Sequence, residues 1–134
     1  MRAIAHIVFW LAVLAFLLTT PAWSSDAAAP NPKLTGMFSD MRFNAEGGDV
    51  LGQEIFIVYS KHGYFAVLQS SEGEPGRPVV VPATLTGSSV TFRVPADVDL
   101  RGEFRGVISQ DGLIGTFSGN GQSVNLKRKS SYWQ

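Results

Sequence analysis

Apolar and polar residues alternate along much of the chain, in runs too short for helices. Val90, Phe92 and Val94 alternate with Ser89, Thr91 and Arg93; Phe104, Gly106 and Ile108 oppose Glu103, Arg105 and Ser109; Val124 and Leu126 oppose Ser123, Asn125 and Lys127. A period of two places one face of a strand against a core and the other in water. From Leu34 onward, apolar residues nowhere recur at i, i+3, i+4 and i+7 for long enough to predict a helix. The pattern predicts eight strands: 35–43, 54–60, 64–70, 78–86, 89–94, 102–109, 113–118 and 123–127. Turn residues separate them: Asn44 to Asp49, Lys61-His62-Gly63, the polar stretch 72–77 (EGEPGR), Gly87-Ser88, the loop 95–101, Gln110-Asp111-Gly112 and Gly119-Asn120-Gly121. Pro82 marks the fourth strand as an edge, a bulge or a broken strand, because proline has no N–H for a ladder.

Eight short strands joined by tight turns form an antiparallel meander, and a meander leaves two open edges unless it closes on itself. The expected fold is therefore all-β, a small up-and-down barrel of six to eight strands. A β-sandwich is the alternative, although its Greek-key crossings need longer connections than most of those present. Inward positions are expected at Phe38, Phe56, Val67, Phe92, Phe104, Ile108, Phe117 and Leu126. The second to fourth strands have no polar face: Phe56 and Val58 point one way, Ile55, Ile57 and Tyr59 the other, and Val79-Val80-Val81 is apolar throughout. Such a surface needs a cover. Self-association or an envelope protein partner is expected there, through Ile55, Ile57, Tyr59, Val80 and Trp133.

Composition changes the picture mainly at the N-terminus. Arg2, the apolar run 4–18 (IAHIVFWLAVLAFLL) and Thr19-Thr20-Pro21 before small residues have the order of a secretory signal, with cleavage expected after Ser24. Fifteen apolar residues fall short of the roughly 20 that span a bilayer core, so no membrane segment is expected after cleavage. Residues 1–24 are thus read as a signal peptide, 25–33 (SDAAAPNPK) as a disordered linker, and 34–134 as one domain with a basic and aromatic tail. The expected location is periplasmic or secreted. Beyond Arg2 the chain carries 10 basic and 11 acidic residues, a balance without the basic footprint of a nucleic-acid binder.

Chemistry is constrained more than it is indicated. There is no cysteine, hence no disulfide, thiolate metal site or cysteine nucleophile. His62 sits in a hairpin turn, where a Ser-His-Asp triad has no use for it, and no G-x-S-x-G elbow occurs. Asp97-Val-Asp99 and Glu46-Gly-Gly-Asp49 lack the ligand spacing of a calcium loop. No catalytic residue, metal or cofactor is expected. The enzymatic alternative is a small envelope hydrolase using the carboxylates Glu54 and Glu103, which would have to flank one bond.

A glycine two positions before a phenylalanine recurs at Gly36-Met37-Phe38, Gly102-Glu103-Phe104 and Gly115-Thr116-Phe117, and it predicts sharply coiled strands with space for a ring. If the barrel is hollow, Phe38, Phe104 and Phe117 would line a cavity for a small apolar ligand. Gly36-x-Phe38, opening a short meander, resembles the Gly-x-Trp start of avidin-type and lipocalin-type barrels, with Phe in place of Trp. That resemblance implies the barrel and assigns no ligand-contacting residue. Residues 34–134, with EIFIVYSKHGYFAVLQ and the ending KRKSSYWQ, resemble small uncharacterised exported bacterial proteins, which implies export. Lys127-Arg128-Lys129 followed by Tyr132 and Trp133 is expected to pack over the barrel mouth or its outer face, or to dock an anionic partner. The functional expectation is a non-catalytic binding or interaction protein of the cell envelope.

Overall fold

The computed structural model describes residues 31–134, so the expected signal peptide and most of the linker lie outside the described residues. Nine strands follow in order: β1 Gly36–Ser39, β2 Arg42–Asn44, β3 Asp49–Ser60, β4 Gly63–Gly73, β5 Val79–Thr86, β6 Ser89–Arg93, β7 Glu103–Ile108, β8 Gly112–Phe117 and β9 Ser123–Arg128. No helix occurs among the described residues, and none there is long and apolar enough to cross a membrane. Every pairing is antiparallel, and sequence neighbours are spatial neighbours from β3 to β9. β1 pairs with β3 on one side and β9 on the other. Eight strands therefore close into an up-and-down barrel, and β2 hangs on β3 outside the ring.

The strand expected over 35–43 is two. Its first half closes the barrel, and then the chain kinks at Asp40-Met41 and continues as β2 against the start of β3. The partner makes the kink possible. Gly52 has φ +110°, and a Cβ there would stand 2.8 Å from the Asp40 carbonyl oxygen, so only glycine admits the crossing. The Asp40 carboxylate accepts the Gln53 N–H at 2.6 Å, and the Asp40 N–H donates to the Gln53 carbonyl at 3.1 Å. β5 is unbroken despite Pro82 and lies inside the sheet. Pro82 pairs with Phe65 on β4, and the ladder to β6 begins only at Ala83, one residue past the missing N–H.

The interior is solid. Phe92 and Phe104 stack with centroids 4.7 Å apart, and Phe117 tilts against Phe104 at 4.9 Å. Phe38, Ile55, Ile57, Ala66, Leu68, Val81, Val90, Ile108, Leu113, Val124 and Leu126 complete the core. Six of the expected inward residues are there, but Phe56 and Val67 are not. They are cross-strand partners on the outer wall, half-buried, while Ile55 and Ile57 are 0% exposed inside. Where both faces of a strand are apolar, alternation leaves its orientation open; here the space beside four phenylalanines takes the slimmer isoleucines.

Arginines close both ends. At the end holding the 61–62, 87–88 and 109–111 turns, Arg128 lies 4.6 Å over the Phe38 ring. It donates to the carbonyls of Thr35 (2.9 Å), Lys33 (2.5 Å), Gln110 (3.0 Å) and Ser109 (3.0 Å). At the opposite end Arg101 lies 4.8 Å over the Phe117 ring. A guanidinium on an aromatic face keeps its charge and its donors while covering apolar surface.

Candidate functional site

The residues singled out by sequence scatter over the barrel. Phe38, Phe104 and Phe117 are fully buried in the packed core and line none of the clefts described below, so they enclose no ligand cavity. Ile55 and Ile57 are core residues and unavailable to a partner. Tyr59 is 64% exposed because β3 runs past the start of β1, which begins opposite Ile57; its ring leans on Tyr64 at the rim. Val80 (63% exposed) stands on the outer wall beside Phe56, Val58, Phe65 and Val67, which are half-buried. His62 is exposed in its turn.

Glu54 and Glu103 are not brought together. β3 and β7 stand four strands apart in either direction round the ring, and both carboxylates lie on outward positions beside the inward Ile55 and Phe104. Opposite walls of a barrel cannot flank a bond as a hydrolytic carboxylate pair must. Glu103 bonds Arg105 at 2.5 Å and Arg93 at 3.3 Å. Glu54, only 4% exposed, is covered by the C-terminal tail: it accepts the Ser131 hydroxyl at 2.8 Å and the Tyr132 N–H at 2.6 Å. The tail is a strap over the outside of β1, β3 and β4. Lys129 donates to the Met41 carbonyl (3.2 Å) and the Trp133 indole N–H to Gln69 Oε1 (2.9 Å), leaving Trp133 48% exposed.

A polar cleft opens at the mouth that Arg101 caps. It has a volume of about 320 Å³ and is lined by Asp40, Gly52, Gln53, Ser70, Ser71, Glu72, Asp99, Arg101, Asn120 and Gln122. Its walls come from the kink before β2, the facing parts of β3 and β4, and the β6–β7 and β8–β9 connections. Local geometry sets each wall. The 95–101 loop turns on the Pro95 carbonyl, which accepts from Val98 and Asp99 at 3.0 Å. Gly119 lets the loop lie flat on the 118–122 turn, since a Cβ there would collide with the Leu100 carbonyl oxygen. Asn120 Oδ1 accepts the Gln122 N–H at 3.0 Å, an Asx turn.

Arg101 organises the cleft. Its Nε donates to Asp99 Oδ2 at 2.6 Å, its backbone N–H to Asp99 Oδ1 at 2.8 Å, and Nη1 to Gln53 Oε1 at 3.1 Å. The Ser71 hydroxyl donates to the Val50 carbonyl, whereas Ser70 Oγ is buried without a partner among the described residues. An unmet buried hydroxyl costs about 1–3 kcal/mol. A second cleft of about 240 Å³ shares Ser70, Asp99 and Arg101 and adds Gly76, Arg77 and the apolar Leu68, Val79 and Val98. Among the described residues, no group of three or more His, Asp or Glu side chains is placed to hold a metal ion.

Comparison with protein-family models, with curated proteins and with solved structures finds no match to this chain. Sequence reasoning missed Gln53, Ser70 and Arg101, and weighed Asp99 only as a calcium ligand, without the spacing for it. One signal was present: Asp99-x-Arg101 two residues apart in a loop is an ion pair in waiting, and its neighbour Gly102 has a positive φ.

Proposed function

We propose that this chain is a non-catalytic exported binding protein of the cell envelope, and that its ligand seats in the polar cleft at the Arg101 mouth. One observation carries the reading. The cleft gathers polar side chains from five separate segments, while the barrel interior, the usual ligand site of hollow eight-stranded barrels, is filled. Uncompensated polar groups converging on a concavity are what a ligand site supplies before its ligand arrives. Native mass spectrometry of protein purified from its own host tests the proposal. A co-purified small molecule that Gln122→Ala protein no longer carries is expected; a ligand that survives this change and also Asn120→Ala would place the site elsewhere.

A second reading, a protein partner or a second copy on the outer wall, is favoured by Val80, exposed beside the half-buried Phe56, Phe65 and Val67. Its test is sedimentation velocity over a concentration series: association that Val80→Lys abolishes is expected, and a monomer throughout counts against it.

A further inference from the structure

Resting on the mouth cleft as the binding site, we infer that the ligand is a neutral polyhydroxylated molecule of the saccharide class. The argument is the inventory of polar atoms that the fold leaves over. Asp99 spends both oxygens on Arg101, and Gln53 Oε1 also accepts from it. Asp40 Oδ1 is taken by the Gln53 N–H and Asn120 Oδ1 by the Gln122 N–H. Among the described residues this leaves two carboxylate acceptors, Asp40 Oδ2 and the Glu72 head. It also leaves donors, Gln53 Nε2, Asn120 Nδ2 and the outer N–H groups of Arg101, and the Gln122 side-chain amide, which both donates and accepts.

Acceptors and donors thus face one small space. An anion would satisfy the donors but meet the carboxylates of Asp40 and Glu72, with the one guanidinium already neutralised by Asp99. An ammonium group would satisfy the carboxylates but confront Arg101 and donate to groups that also donate. A hydroxyl donates to one side and accepts from the other, and several hydroxyls on one ring do so in several directions at once. The adjoining cleft, which shares Ser70, Asp99 and Arg101 with the polar one, adds Leu68, Val79 and Val98 as an apolar wall for C–H groups and, beside them, the Arg77 guanidinium as a further donor.

The test is a backbone amide NMR titration of the exported protein with a panel of neutral disaccharides built from hexoses, pentoses and N-acetylhexosamines. Putrescine and citrate serve as the cationic and anionic probes. At least one disaccharide is expected to shift Gln53, Ser70, Arg101 and Asn120 with an affinity in the millimolar range or tighter. Glu72→Gln and Gln122→Ala, which alter exposed side chains and leave the backbone bonds of the 118–122 turn in place, are each expected to weaken it about fivefold to tenfold, the loss of one ligand hydrogen bond. Thr116→Ala on the outer wall is expected to change nothing. Shifts at these amides from putrescine or citrate alone would overturn the saccharide class while leaving the site standing. No cleft shift from any disaccharide up to about 50 mM, weaker than any useful affinity, would overturn the inference, and the host-purified protein would then decide separately whether the cleft binds anything.

Discussion

At the scale of single residues, this barrel is tuned by where side chains are missing. The Gly-x-Phe repeat reads along one strand as a glycine making way for its own phenylalanine. In the folded protein the relief runs across strands. Gly106 and Gly115 are partners on β7 and β8, and the Phe104 ring lies over both: a Cβ at Gly106 would stand 2.7 Å from the ring, and one at Gly115 would run into it. Gly115→Ala is therefore expected to cost about 1–3 kcal/mol as an overpacked core does, lowering Tm by roughly 4–8 °C per kcal/mol in a domain of this size; thermal unfolding followed by circular dichroism measures it. Arg128 is as specific in its shape. Three of its nitrogens reach four carbonyls while its plane covers Phe38, a task that a single ammonium group cannot share out. Arg128→Lys is expected to lose about 1.5–3 kcal/mol, the scale of hydrogen bonds to a charged group, in urea unfolding. The repeat that marks the core was visible in the sequence, but the partner across the ladder was not, because register is a tertiary fact.

Among elements, the C-terminal strap shows how an outward carboxylate comes to be buried. Glu54 lies across the ladder from Ser39 on one side and Gln69 on the other, and the strap's Ser131, Tyr132 and Trp133 bond to Glu54 and Gln69 from above. Trp133 is the only tryptophan among the described residues, so in protein lacking residues 1–24, which hold Trp10 and Trp23, fluorescence reports on the strap alone. Glu54→Ala is expected to shift that emission to the red and raise its quenching by acrylamide, with the far-ultraviolet circular dichroism unchanged. Unchanged emission would mean that the Trp133 indole and the apolar wall hold the strap without the carboxylate. A packing role for the tail was readable from its basic and aromatic composition. The split of the first strand was not, since Ser39-Asp40-Met41 holds no glycine or proline to mark a break; the cause sits on the partner strand at Gly52.

For the whole molecule, the meander and its closure were legible because alternation and tight turns act locally, and strands β6, β7 and β9 each have a mainly polar face that fixes their orientation. The second to fourth predicted strands, apolar on both faces, gave no such sign, and the outward Phe56 and Val67 are the result. The cleft was least legible of all, because Gln53, Ser70, Arg101 and Asn120 are ordinary polar residues far apart in sequence whose meeting follows only from the closed ring. Closure itself has an uneven build. β8 and β9 pair from Gly112 with Lys127 to Thr116 with Ser123, whereas β1 meets β9 only at Phe38 with Arg128 and Ser39 with Lys127. These partners lie at opposite ends of the described chain, so the closing seam forms across the longest loop and holds by the shortest ladder. Hydrogen exchange is expected to be faster at the β1–β9 amides than at those between β3 and β4, with equal protection as the contrary result. The ring is best pictured as a bracelet with a clasp: should it spring, two raw sheet margins would be left with nothing to pair, and Arg128, wedged into the last link, is the pin that holds them shut.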